Sequence, residues 1–137
     1  MSVDLRVIEA LQAARRAEKA QALYYRALAA KAEDAGDEQA EEDLNGLHAD
    51  EQHHLSRITV TLVEAKAPLD ELNDVASPTS IYPDWQDHAR AREEAEIARY
   101  EKLLTMKLDE NTAALVQEIL AVERKHAESL GGKYMSA

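Results

Sequence analysis

The chain has 137 residues, enough for one domain with its own hydrophobic core and too few for two comfortable ones. A formal net charge of -11 and a pI of about 4.8 argue against nucleic acid or an anionic membrane as the main partner. Zero cysteines exclude disulfides, thiol chemistry and iron–sulfur clusters.

With 45% hydrophobic but only 4% aromatic residues, no Phe, and an abundance of Ala, Leu, Glu, Lys, Arg and Gln, helix is favoured almost everywhere. No apolar run approaches the length of a bilayer span. The N-terminal MSVDLRVIEAL lacks the basic-then-apolar pattern of a signal peptide, so a soluble cytoplasmic protein is expected.

The first helix is predicted over residues 3–35, stopped by Gly36, with Asp37 as N-cap of the next. The second, patterned on Leu44, Leu47, Leu55, Ile58 and Leu62, runs over 38–66. All three prolines, Pro68, Pro78 and Pro83, then fall in one long connection, 66–83. The third helix covers 84–107 and the fourth 112–130, with Asp109 or Asn111 as N-cap and Gly131 and Gly132 as the stop. Short turns make two antiparallel hairpins. A connection running the length of a bundle would give a four-helix bundle with one long crossover, the arrangement of ferritin-like folds.

The two hairpins repeat each other. Glu18 precedes Tyr25 by seven residues, Glu93 precedes Tyr100 by seven, and the second helix of each pair carries Glu-x-x-His, as Glu51 to His54 and Glu123 to His126. Positions three and four apart share a helical face, so the apolar stripes can be traced directly. They read Leu11, Ala14, Glu18, Tyr25, Leu28; then Leu44, Leu47, Glu51, His54, Ile58; then Ala89, Glu93, Glu96, Tyr100, Leu103; then Val116, Ile119, Glu123, His126, Leu130. Every helix thus sets a carboxylate in its own apolar seam.

Carboxylates gathered in a core repel one another and must find cations. No Lys or Arg occupies the middle of the stripes, which points to metal rather than to salt bridges. Carboxylate oxygens with two imidazoles suit iron or manganese. One Glu from each of two helices, with Glu-x-x-His from the other two, is the di-iron carboxylate pattern. One such motif is weak in a Glu-rich chain; two in phase with the apolar stripe are not.

On these residues the chain resembles the ferritin-like, rubrerythrin-type superfamily of di-iron proteins. AEKAQALYYRALAAKAEDAGDEQAEEDLNGLHADEQHHLSRI is similar to the first hairpin of rubrerythrin, REEAEIARY to its third helix and VERKHAESL to its fourth. The resemblance covers all but the long connection. It implies Glu18, Glu51, His54, Glu93, Glu96, Glu123 and His126 as ligands of two iron ions, with manganese or a mixed iron/manganese pair possible, and Glu96 as the extra carboxylate of rubrerythrins. It also implies a homodimer. Rubrerythrins proper append a cysteine-ligated rubredoxin domain, which these residues cannot build, so an external electron donor or ferrous iron itself must supply electrons.

The expected activity is reduction of dioxygen or hydrogen peroxide, as a ferroxidase or a rubrerythrin-like peroxidase. The alternatives are an iron-storage or cargo protein of a larger assembly, an oxygenase of an organic substrate, or a metal-free structural bundle. Tyr25 and Tyr100 are read either as hydrogen-bond partners of ligand carboxylates or as plain core. His53, about 100° around the helix from His54, is read as a bystander. His48 and His88 are placed on the surface, with a peripheral place at the site as the alternative for His48, which sits one turn before Glu51 and His54; Tyr24 and Trp85 are placed in packing or an interface, and Glu94 and Glu101 on the solvated face. Gly46 is attributed to a close helix approach.

Overall fold

The computed structural model describes residues 4–131. Within them the chain is all-α, without a strand: α1 Leu5–Asp34, α2 Glu38–Glu64, α3 Trp85–Leu104 and α4 Glu110–Ser129. Helix count, element order and the single long crossover are those of a ferritin-like four-helix bundle.

Helix ends differ from the sequence reading by a few residues, for local reasons. α1 closes as expected at Gly36, whose φ of 71° lets the amides of Gly36 and Asp37 reach back to the carbonyls of Glu33 and Ala32. α2 closes in the same way two residues earlier than expected. Lys66, a residue without glycine's freedom, takes φ 57° and bonds to the Val63 carbonyl, while Ala67 bonds to that of Leu62. α3 stops at Leu104 rather than 107 because Thr105 and Met106 bond three residues back instead of four. The N-cap of α4 is Asp109, not Asn111; its carboxylate accepts from the Thr112 amide at 2.7 Å, so the helix begins at Glu110. Gly131, at φ 100°, follows α4 as expected, and Gly132 lies outside the described residues.

The described residues form two compact units, Leu11–Trp85, and residues 4–10 together with residues 86–131. In the first, α1 and α2 run antiparallel. His48 Nδ1 lies 2.9 Å from the Ala22 carbonyl oxygen, and nearer the open end Arg15 Nε donates to Thr59 Oγ1 at 2.8 Å. The crossover then returns alongside α1. Gln12 donates to the Pro68 carbonyl, Arg15 to that of Asp70, Arg16 to that of Glu71, Ser77 to that of Leu23, and Lys31 to that of Ser80. Tyr82 closes the run on the Asp37 carboxylate at 2.8 Å. From Gln12 to Lys31 the helix rises about 28 Å. The segment from Pro68 to Ser80 spans this without tension, since an extended residue reaches about 3.3 Å.

In the second unit α3 and α4 are also antiparallel. Arg124 donates to Glu101 at 3.0 Å near one end, and Arg90 to the Leu130 carbonyl at 3.2 Å near the other. Ala89, Ile97, Leu103, Leu115, Val116, Ile119 and Leu120 are buried there. Leu11, Ala14, Leu28, Leu44, Leu47, Ile58 and Leu62 play the same part in the first unit. No helix among the described residues is long and apolar enough to cross a membrane.

Candidate metal centre

Each hairpin builds a candidate ligand triplet in the same way. The Glu-x-x-His step on α2 stacks His54 one turn beyond Glu51, and the antiparallel register brings Glu18 of α1 beside them. His54 Nδ1 lies 3.4 Å from Glu18 Oε2 and 3.4 Å from Glu51 Oε1. In the other unit, His126 Nδ1 lies 3.5 Å from Glu93 Oε1 and 3.5 Å from Glu123 Oε1. In each triplet, one donor atom per residue falls within 4.8 Å of the others. Metal–ligand bonds of about 2.1 Å separate neighbouring ligand atoms by roughly 3.0–3.4 Å, so a cation fits between these oxygens and this nitrogen.

Burial sharpens the point. Glu18, Glu51, Glu93 and Glu123 are each 0% exposed, and no Lys or Arg is buried among the described residues. Their charge must be met inside. Without a metal, protons meet it: burial pushes Glu93 up to about 8, its repulsion from Glu123 adding to the shift and its bond to His126 opposing it. For His126, burial disfavours the charged ring, but the Glu123 and Glu93 carboxylates outweigh it and push the group up to about 11. A buried, cation-seeking set of hard oxygens and imidazole nitrogens suits iron or manganese.

Glu96 is buried as expected but stands outside the close triplet on its side. It lies one turn beyond Glu93, with Oε2 3.8 Å from Arg99 Nε. Tyr25 and Tyr100 are fully buried on their stripes. Tyr24 is core, edge-on to Tyr25 with ring centroids 5.4 Å apart, and Trp85 is buried too. His53 is exposed beside buried His54, and His88, Glu94 and Glu101 are exposed as read.

Two readings are corrected. His48 is half-buried and ties α2 to the Ala22 carbonyl, because its position flanks the buried stripe rather than opposing it. Gly46 is exposed, and a Cβ there would meet nothing within 4 Å, so no close approach among the described residues explains it. Two buried polar residues were missed: Thr112, at the start of α4, and Gln21, a turn beyond Glu18. Its signal was available in the repeat, since Gln21 stands to Glu18 as Glu96 stands to Glu93.

Searches among curated proteins and among solved structures found no match. The Rubrerythrin family profile matches residues 9–134, taking in both hairpins and the crossover. The chain, with its buried carboxylate and histidine groups, belongs to the rubrerythrin family.

Proposed function

We propose that the protein is a di-iron oxidoreductase, a ferroxidase or peroxidase that reduces dioxygen or hydrogen peroxide, working as one domain within a homodimer. The observation that carries this is the duplicated triplet, Glu18, Glu51, His54 and Glu93, Glu123, His126, with matching geometry and complete burial of its acids. By this reading Glu18, Glu51, His54, Glu93, Glu96, Glu123 and His126 hold two iron ions, one anchored by each histidine. Two ferrous ions held there would supply the two electrons that the oxidant takes up, with substrate ferrous iron or an external donor restoring them.

The side chains do the remaining work. Nδ1 is the ring nitrogen that each histidine turns toward its two carboxylates, leaving Nε2 for a partner that fixes the ring. Glu93 and His126 hold protons while the site lacks a cation and give them up when one enters. Leu44, Leu47 and Ile58 on α2, and Val116 and Ile119 on α4, extend the stripes above and below the ligands and keep bulk water away. Tyr25 and Tyr100 are proposed to hold ligand carboxylates in orientation. The outward stripe of α2, Gly46, Ala49, His53, Ser56, Val60 and Val63, is exposed and holds no Asp, Glu, Lys or Arg, which suits a second copy as its neighbour.

Anaerobic ferrous titration tests the reading, followed by exposure to dioxygen or peroxide in parallel and sizing of the same samples by light scattering. Two ions per chain and two chains per particle are expected, and the faster oxidant names the activity. A Glu123→Ala, His126→Ala double variant should lose ferrous binding and oxidation together. Fewer than two ions in the parent would overturn the binuclear reading.

A further inference from the structure

The outward face of α2 carries a pattern that the fold of a single chain does not use. Gly46, Ala49, His53, Ser56, Val60 and Val63 are all exposed and follow one another at alternating steps of three and four residues. That is the spacing of a helix-to-helix seam, here about 26 Å long. It lies on the side of α2 opposite the buried Leu44, Leu47, Glu51, His54 and Ile58. At one end, Val60 and Val63 are 52% and 55% exposed, so two branched apolar side chains stand more than half open to water. At the other, Gly46 interrupts a helix that alanine would favour, and a Cβ there would meet nothing within 4 Å.

The seam is complementary to itself when reversed. About the level between His54 and Leu55, Gly46 mirrors Val63, Ala49 mirrors Val60 and His53 mirrors Ser56. Two α2 helices running antiparallel about a two-fold axis at that level set each valine over a glycine or an alanine. They also set the His53 ring beside the Ser56 hydroxyl, a polar pair in the middle that fixes register. A parallel pair would put valine on valine and glycine on glycine, crowding one end and leaving a void at the other.

Charge points to the same occupant. Each chain carries a net -11, so two copies repel unless they meet where charge is absent, and the seam holds no Asp, Glu, Lys or Arg. Beside it, on one flank, stand Asp50 and Arg57. The antiparallel arrangement lays Asp50 of one copy alongside Arg57 of the other, and the axis repeats the pair.

We infer that α2 pairs antiparallel with α2 of a second copy along residues 46–63, the glycine and alanine of each helix receiving the valines of the other. This rests on the homodimer proposed above and gives it a place, a direction and a register. Gly46 keeps the two backbones close at the ends of the seam, where a larger residue would hold Val63 off.

The chain has no cysteine, so engineered thiols report the register directly. In metal-free protein under a glutathione redox buffer, an Ala49→Cys, Val60→Cys double variant should form a covalent dimer, each thiol meeting its counterpart on the other copy. Within one helix the two positions are about 16 Å apart, beyond the reach of a disulfide. Either single variant should stay uncrosslinked, because like positions on the two copies are separated by about the same distance. Gly46→Gln, a neutral helix former that meets nothing among the described residues, should remain folded by circular dichroism. In sedimentation it should raise the dimer dissociation constant about tenfold or more by standing where Val63 packs. A dimeric parent whose double variant does not cross-link, or whose folded Gly46→Gln form dimerises as tightly as before, would overturn this pairing and leave the homodimer standing. A parent that sediments as a monomer would overturn both.

Discussion

Glu51 and His54 illustrate what a single residue can disclose. Glu-x-x-His is common by chance in a Glu-rich helix, and it became legible because VERKH repeats it and because both copies lie in phase with leucine, valine and isoleucine that must be buried. Gln21 was not legible in that way. A glutamine in a long helix is ordinarily solvated, and its one sequence signal, its place in the repeat opposite Glu96, takes on meaning once its burial is seen. Gly46 failed for the opposite reason: a glycine inside a helix suggests a tight contact, and here its outward face meets open space. Gly46→Ala therefore meets no clash among the described residues, and in dilute, monomeric protein it should gain about 0.5–1 kcal/mol from lost chain flexibility, a gain that a second copy packed on this face would cancel. A urea denaturation midpoint that fails to rise would show that something outside the chain occupies that face.

Among elements, the existence and order of all four helices followed from periodicity, whereas several of their ends did not. The α2 terminus depends on Lys66 adopting a left-handed conformation that sequence assigns to glycine, and the α3 terminus on a tighter last turn that leaves no compositional mark. The α4 start was one of two readable options, and the Asp109 carboxylate decides it. Replacing Asp109 with Ala strands the Thr112 amide and should cost about 1 kcal/mol, seen as a lower urea midpoint at unchanged slope. Asn111→Ala, which removes the other readable cap, should leave the midpoint in place. The course of the crossover was legible only as a possibility, since no periodicity reports which helix an extended segment follows. The row of contacts from Gln12 to Asp37 answers that.

For the molecule as a whole, the acids that would bind metal govern stability against pH. The value for Glu93 in the folded chain, about 8, is above its ordinary 4.5, so between these limits the folded state holds a proton that the unfolded chain has lost. The metal-free protein therefore loses stability as pH rises from about 4.5 through about 8. His126, moved from 6.5 to about 11, pushes in the same direction over the higher window. Metal entry displaces these protons, so the melting temperatures of metal-free and metal-loaded protein should diverge as pH rises from 5 to 8, with protons released on loading. Melting curves that stay parallel across that range would remove Glu93 and His126 from the set of groups that exchange a proton for a metal. The crossover has a different consequence for the chain. Gln12, Arg15, Arg16 and Lys31 grip it mainly by backbone carbonyls, which every residue possesses, so what this stretch must preserve is its reach rather than its spelling. Its letters are free to drift among relatives, while a deletion would break the run of contacts that reaches from Gln12 to Asp37.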